Sequence, residues 1–135
     1  MANTLRLEIV TPEAVVYSEQ VEMVTLPGVE GQMGVLPQHV RLITQMVPGE
    51  LTVQKDGQDK FLAVGEGMVE VTNDHVSIVT NMAVAVESID ETAAKEARQR
   101  AATRLKEKLS AEEVASVNAA LARSLAQLHV KRRHR

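Results

Sequence analysis

The sequence predicts two parts, an N-terminal antiparallel β sandwich over residues 1–88 and a C-terminal antiparallel hairpin of two helices over residues 89–135. Apolar residues alternate with polar ones in the first part and recur at every fourth position in the second. Charge divides at the same place, since residues 1–88 hold four Lys/Arg against twelve Asp/Glu, and residues 89–135 hold eleven against six. We therefore expect two parts that face different partners, with the second preferring an acidic surface.

The first part has the pattern of short strands separated by turns. Leu5, Leu7 and Ile9 alternate with polar residues, as in a strand that buries one face. The dipeptide Asp56-Gly57 separates two further alternating runs, and a glycine there supplies the positive φ of a tight hairpin turn. Frequent turns between short strands favour a sandwich or a barrel.

Two helices are predicted after residue 89. Asp90 is a natural N-cap for the first helix, and Ser110 with Glu113 forms a capping box for the second. The apolar positions of the first helix are Ala93, Ala97, Ala101, Leu105 and Leu109. Those of the second helix are Val114, Val117, Leu121, Leu125 and Leu128. Because the connection is short, the helices are expected to pack as an antiparallel pair.

The first helix presents mainly alanine on its apolar side. Burial stabilises by roughly 25 cal/mol per Å², so alanine contributes little compared with leucine. Leu105 and Leu109 are the large apolar residues expected in this helix. We therefore expect the hairpin to dock weakly on the sandwich and to leave it at low cost.

The sequence contains no recognisable catalytic or metal-binding constellation. It has no cysteine, no GxxxxGK[ST] phosphate-binding motif and no HExxH motif. The four histidines lack ligand spacing. Gly28, Gly31 and Gly34 lie between strand-like segments, where turn-forming glycine is expected. The sequence thus predicts a protein that is not an enzyme and that needs no metal or cofactor.

Two further classes of partner are disfavoured. The tail 131–135 is basic, as phosphate binding requires, but the acidic first part has only Tyr17 and Phe61 as aromatic residues for stacking bases. No segment approaches the roughly 18 apolar residues that a membrane-spanning helix needs. We expect neither a nucleic-acid partner nor direct membrane insertion.

Several segments resemble the epsilon subunits of F-type ATP synthases. Residues 26–39 resemble that family's G-x-x-G-x-L-P-x-H loop, and residues 7–13 are similar to its first strand and turn. Residues 64–71 are similar to its G-G-x-x-E/Q-V strand pair, with a glutamate in place of one glycine. Residues 76–79, followed by residues 89–91, match its passage into the helical domain. The resemblance extends over essentially the whole chain.

The resemblance implies a sandwich of about ten strands and a regulatory helical domain in the central stalk of a rotary motor. The sandwich would bind the gamma subunit and the ring of membrane c subunits, with Glu30 and His39 on the c-ring side. The hairpin would either fold on the sandwich or extend along gamma. When extended, its basic residues would meet an acidic segment of the catalytic beta subunit and suppress ATP hydrolysis. The candidates for that contact are Lys95, Arg98, Arg100, Arg104, Lys106 and Lys108.

Some members of this family bind ATP through an I/L-D-x-x-R-A motif with additional arginines. Ile89 and Asp90 match this motif, whereas Ala93 stands where the arginine belongs. Arg100 and Arg123 are further candidates for phosphate contacts. Because alanine supplies no charge-assisted hydrogen bond, the sequence predicts at most a weak site for ATP as a regulatory ligand.

The predicted function is to couple the rotor to the c-ring, driven by protons or sodium ions, and to inhibit ATP hydrolysis through the helices. The alternative is a stand-alone ATP-sensing or basic-helix adaptor, which would bind nucleotide tightly without binding gamma. The start of the sequence lacks a secretory or transit-like segment. This predicts a bacterial source and a peripheral position on the cytoplasmic face of the inner membrane.

Overall fold

The computed structural model describes residues 3–134, so Met1, Ala2 and the Arg135 of the basic tail lie outside the described residues. Ten strands come first: β1 (Leu5–Val10), β2 (Val15–Val21), β3 (Met23–Gly28), β4 (Gly31–Val35), β5 (Leu42–Met46), β6 (Gly49–Lys55), β7 (Gln58–Val64), β8 (Gly67–Val71), β9 (His75–Thr80) and β10 (Ala83–Ala85). A 3-10 turn (Val86–Ser88) leads to two helices, α1 (Glu91–Arg104) and α2 (Ala111–Arg133). The predicted sandwich of about ten strands followed by two helices is confirmed.

The strands form one continuous path in the order β10-β7-β6-β3-β5-β8-β9-β1-β2, with β4 paired to β3. β3 and β5 share only the residue pair Gly28 and Met46, and there the path passes from one layer of the sandwich to the other. The pairs are antiparallel except β1 with β9, which run parallel from the pair Arg6 and His75 to the pair Val10 and Val79. This parallel pair departs from the expected all-antiparallel sheet. It is possible because the long chain between the two strands, rather than a hairpin turn, brings them together.

Alternation within the strands produces one interior core. Strands β1 to β9 all contribute buried side chains to it, among them the fully buried Leu7, Leu51 and Ile78. The Asp56-Gly57 hairpin joins β6 to β7 as predicted, with φ values of 54° and 74° at its two residues. Positive φ at both turn positions matches the twist of the flanking strands.

The two helices begin at the predicted caps. The Asp90 side chain accepts a hydrogen bond from the Ala93 amide at 3.0 Å, and Ser110 and Glu113 form a reciprocal capping box. Helix α1 ends at Arg104, earlier than its apolar pattern indicated, so Leu105 and Leu109 lie half-buried at and beyond its C-terminal end. The helix packs along α2, and Ala97, Ala101, Val117 and Ala120 are among the residues lining the seam.

A second, smaller apolar cluster joins the hairpin to the sandwich. It lies on the outer side of β7, where alternation turns Phe61 and Ala63 away from the interior core. Its buried members are Ala63, Met82, Ile89, Ala126 and Val130. Helix α2 therefore covers the outer face of one layer of the sandwich with its C-terminal half.

Candidate functional site

Among residues 3–134, no group of three or more His, Cys, Asp or Glu side chains is placed to hold a metal ion. Within the same described range, neither helix is long and apolar enough to cross a membrane. The candidate residues lie on the sandwich and on the hairpin separately.

Glu30 and His39 lie in the two loops that flank β4. Glu30 is exposed in the turn between β3 and β4, whereas His39 lies in the loop between β4 and β5, where its Nδ1 is 2.8 Å from the Val40 carbonyl oxygen. The five residues of β4 separate them, a rise of roughly 17 Å. The two residues thus flank opposite ends of the strand, and their place on the c-ring side stays a prediction.

The outer face of the second layer bears a row of exposed apolar side chains. Met68 of β8 is paired with Val79 of β9, which is paired in turn with Val10 of β1. Ile43 of β5 is diagonal to Met68, because it faces Glu70 two residues further along β8. Ile43, Met68 and Val79 are 66%, 47% and 58% exposed. This outer apolar row crosses four neighbouring strands.

The outer apolar row was not predicted from the sequence. Its members stand at outward positions of their strands, where alternation calls for polar residues. Apolar residues at the outward positions Met68 and Val79 were a detectable signal, but only the register shows that they adjoin. Adjoining exposed apolar side chains on a small domain make the row a candidate interaction surface.

The predicted basic residues of the hairpin do not form one face. Lys95, Arg100 and Arg104 are exposed on α1, and Lys106 and Lys108 are exposed in the connection after it. Arg100 and Arg104 share a side of the helix, whereas Lys95 is rotated from Arg100 by roughly 140°. The half-buried Arg98 borders the groove between α1 and α2, beside residues that include Leu128 and Arg132. A partner on one side of α1 can contact Arg100 and Arg104 together.

Arg104 is already engaged within the hairpin. Its Nη2 lies 3.3 Å from Glu113 Oε2 and its Nε lies 3.8 Å from Glu107 Oε2. Hydrogen bonds from the Ser110 amide and hydroxyl, assisted by the charge of Arg104, lower the pKa of Glu113 below its ordinary value. Arg104 thus links the end of α1 to the start of α2, which leaves Arg100 as the more available of the two.

The residues that match the ATP motif are occupied by structural roles. Ile89 is 5% exposed in the cluster beneath α2, and the Asp90 carboxylate caps α1. Ala93 is exposed, so an arginine there would have room, but alanine offers no charge to a phosphate. Arg100 lies about 15 Å along the helix from Asp90, and Arg123 is half-buried on α2. Weak binding of ATP at these residues stays a prediction.

Helix α2 contacts the sandwich through particular side chains that the alanine content of the hairpin did not predict. Val130 is fully buried there, and Lys131 Nζ donates to the Val86 carbonyl oxygen at 3.2 Å. Gln127 Nε2 lies 3.0 Å from the sulfur of Met82. The two side-chain contacts could not be predicted from the sequence, because each joins residues 45 positions apart. By contrast, α1 packs on α2 rather than on the strands, and weak docking of the hairpin stays a prediction.

Comparisons with known proteins agree with this two-part arrangement. Residues 4–86 match the family described as ATP synthase, Delta/Epsilon chain, beta-sandwich domain, and residues 87–132 match ATP synthase, Delta/Epsilon chain, long alpha-helix domain. The chain is 40% identical over 131 residues to the ATP synthase epsilon chain of Herpetosiphon aurantiacus, covering 97% of this chain and 96% of that one. It is 41% identical to the epsilon chain of Desulforamulus reducens over 125 residues, covering 93% and 95%.

The fold also recurs in a solved assembly. A chain of the Euglena gracilis mitochondrial ATP synthase, in a structure of its OSCP/F1/c-ring, superposes with a TM-score of 0.75 at 24% identity. The superposition covers 96% of this chain and 81% of that one. The matched sandwich and helix domains and the near full-length identity to bacterial relatives lead to one conclusion: this chain belongs to the family of epsilon subunits of F-type ATP synthases.

Proposed function

We propose that this epsilon subunit has two tasks, coupling the rotor to the c-ring through its sandwich and restraining ATP hydrolysis through its helices. The observation that supports this division is the attachment of the hairpin. Helix α2 seats it on the sandwich, in a cluster separate from the interior core. A hairpin attached in this way is able to leave without unfolding the strands.

The gamma subunit is the proposed partner of the outer apolar row. The row lies on the layer of the sandwich that α2 does not cover, so it stays available whether the hairpin is docked or extended. Exposed apolar side chains on a rigid sheet suit a permanent subunit contact. The exposed Glu30 turn is the proposed c-ring contact, and His39, at the other end of β4, is proposed to lie at the margin of that surface.

The catalytic beta subunit is the proposed partner of the released hairpin. Exposed basic residues on α1, Arg100 foremost, suit an acidic protein segment. Lys106 and Lys108 extend the same charge beyond the helix end. The whole subunit would act as a peripheral protein on the cytoplasmic face of a bacterial inner membrane, with protons or sodium ions selected elsewhere in the motor.

A truncation after Ser88 tests the division. In the reconstituted enzyme, the truncated chain should assemble and support coupled ATP synthesis, because the sandwich keeps its own core. Inhibition of ATP hydrolysis should be lost, because the basic helices are gone. Steady-state hydrolysis and ATP-driven ion pumping measure the two tasks separately. Inhibition by the truncated chain equal to that of the full chain would disprove the assignment to the helices.

A charge substitution refines the same test. Arg100→Gln should weaken the inhibition while leaving assembly intact, because it removes an exposed charge from α1. Arg41→Gln is the matched control, since Arg41 is an exposed arginine of the sandwich. Equal effects of the two variants would argue against a specific contact of the hairpin.

No observation favours the stand-alone ATP-sensing or basic-helix adaptor. The buried Ile89, the cap role of Asp90 and the exposed Ala93 all argue for at most weak binding of ATP. Calorimetric titration of the isolated chain should therefore detect little heat at micromolar ATP. Tight binding there, without binding of gamma, would favour the adaptor instead.

A further inference from the structure

The last turn of α2 meets the sandwich at one acidic side chain. Glu50 lies near the start of β6, and its Oε1 is 2.5 Å from His134 Nε2. Its other oxygen, Oε2, is 3.5 Å from Nη1 of Arg133. Two consecutive residues at the end of the hairpin therefore contact the two oxygens of a single carboxylate, although 84 positions separate Glu50 from His134.

Glu50 is nearly enclosed for a charged residue. Its side chain is 10% exposed, whereas the Arg133 side chain is 60% exposed. A carboxylate removed from water is stable only when hydrogen-bond donors or positive charges replace the solvent. Here the donors belong to the hairpin, so Glu50 loses its protein partners when α2 lifts from the sandwich. The contact thus links the environment of Glu50 to the position of the helix.

His134 is held by a second contact besides the carboxylate. Its ring stacks on Phe61 of β7, with centroids 3.7 Å apart and an interplanar angle of 12°. Its side chain is 18% exposed. Because Nε2 faces a carboxylate oxygen, this nitrogen donates to Glu50. A donor at the C-terminal end of α2 also complements the negative end of the helix dipole. Stacking and hydrogen bonding together fix one orientation of the ring.

The contact lies beside the other contacts that join the end of α2 to the sandwich. It adjoins the apolar seat at Val130 and the hydrogen bond from Lys131 to Val86, and these contacts lie in the last turns of α2. Helix α1 follows α2, since it packs on α2 and Glu91 is paired with Arg132 at 3.2 Å. Releasing the last turn therefore frees the end by which the whole hairpin is seated.

We propose that Glu50 and Phe61 form a receptor for the terminal turn of α2, and that the contact of this receptor with Arg133 and His134 is a latch that sets the balance between the docked and the released hairpin. The latch rests on the release of the hairpin proposed above, but it concerns the isolated chain and is tested without hydrolysis. Failure of the exchange test below would leave the truncation test of inhibition standing, and failure of the truncation test would leave the exchange test standing.

Amide hydrogen exchange of the full chain tests the latch. Glu50→Ala and His134→Ala should each raise the exchange rates of the amides between Ala126 and Val130 on the order of ten-fold, because a charge-assisted hydrogen bond holds that segment closed. The double variant should raise these rates by less than the product of the two single effects, since both substitutions remove the same hydrogen bond between Glu50 and His134. Amides of β7 and β9 should keep their rates in all three.

The controls make each outcome decisive. Glu70→Ala removes an exposed glutamate from the outer face of the other layer and should leave α2 unaffected. Additive effects in the double variant, an equal effect of Glu70→Ala, or unchanged rates in Glu50→Ala would overturn the proposal. If Glu50→Ala accelerates amide exchange in the strands as well, the exchange of Glu50→Gln is measured instead. Faster exchange in both strands and helices of Glu50→Gln would also overturn the proposal.

Discussion

The sandwich and the hairpin bury apolar surface in opposite ways. Strands β1 to β9 share one interior core in which leucine, isoleucine and valine are fully enclosed. The hairpin has no comparable core of its own, since α1 buries only Ala94 and Ala101 among its described residues. It depends on a small cluster outside the sandwich and on the polar contacts of one helix end. The sandwich is therefore stabilised by a core of its own. The position of the hairpin depends on its contacts with the outer side of β7.

The largest expected difference between the regions is in global stability. Ile78 is fully buried in the interior core, and Ile78→Ala should lower the free energy of unfolding by about 2–5 kcal/mol. Val130 is fully buried in the outer cluster, and Val130→Ala removes two methyl groups, worth roughly 1–2 kcal/mol at about 0.8 kcal/mol per CH₂. Val130→Ala should therefore weaken docking of the hairpin, while the strands stay folded.

Denaturant unfolding and amide exchange, measured on both variants, distinguish the two losses. Ile78→Ala should accelerate exchange in strands and helices together. Val130→Ala should accelerate it in α2 alone. Equal acceleration of the strands by Val130→Ala would mean that the two regions unfold as one unit.

A smaller effect is expected on binding of gamma. Val79 lies in the centre of the outer apolar row, and Val79→Glu places a charge there without touching the interior core. Affinity for gamma should fall at least ten-fold, roughly the 1.4 kcal/mol that separates successive decades, while thermal stability stays nearly unchanged. Gln32→Glu on β4, in the other layer, adds the same charge as a control. Surface-immobilised gamma measures both, and equal affinities of the two variants would place the gamma contact elsewhere.

The smallest effect concerns pH and belongs to the sandwich. Lys55 on β6 forms an ion pair with Glu19 on β2, joining the two layers. The hydrogen bond with Lys55 lowers the pKa of Glu19 below its ordinary value of 4.5. The same bond raises the pKa of Lys55 above 10.5. The stability that Glu19 contributes is therefore present above pH 4.5 and lost as the pH falls through its lowered pKa. The stability that Lys55 contributes is lost as the pH rises through its raised pKa.

Urea unfolding of the protein and of Glu19→Gln checks this contribution. The two curves should converge in acid, because protonation removes the same interaction as the substitution. The difference between them at neutral pH should be small, since the pair is open to solvent. Glu13→Gln, in the exposed turn before β2, should follow the unmodified chain at every pH. An offset for Glu19→Gln that stays constant at every pH, the most acidic included, would contradict a role for the pair.

Local features were predictable from the sequence because local physics determines them. Alternation identified the strands, Asp56-Gly57 identified a hairpin, and Asp90 and Ser110 identified two helix starts. The end of α1 was less predictable, since apolar spacing continued through Leu105 and Leu109 after the helix had stopped. Spacing alone does not report where capping and the turn into α2 interrupt the helix.

The sequence by itself determined the two-part division, the separation of charge and the type of each element, because these depend on residues near one another in the chain. Only the tertiary structure decided that β1 lies parallel to β9, that Ile43, Met68 and Val79 adjoin, and that Glu30 and His39 lie apart. It also brought Glu50 to His134. These placements depend on strand register and on the docking of α2, which bring together residues distant in sequence and leave no mark on the local pattern.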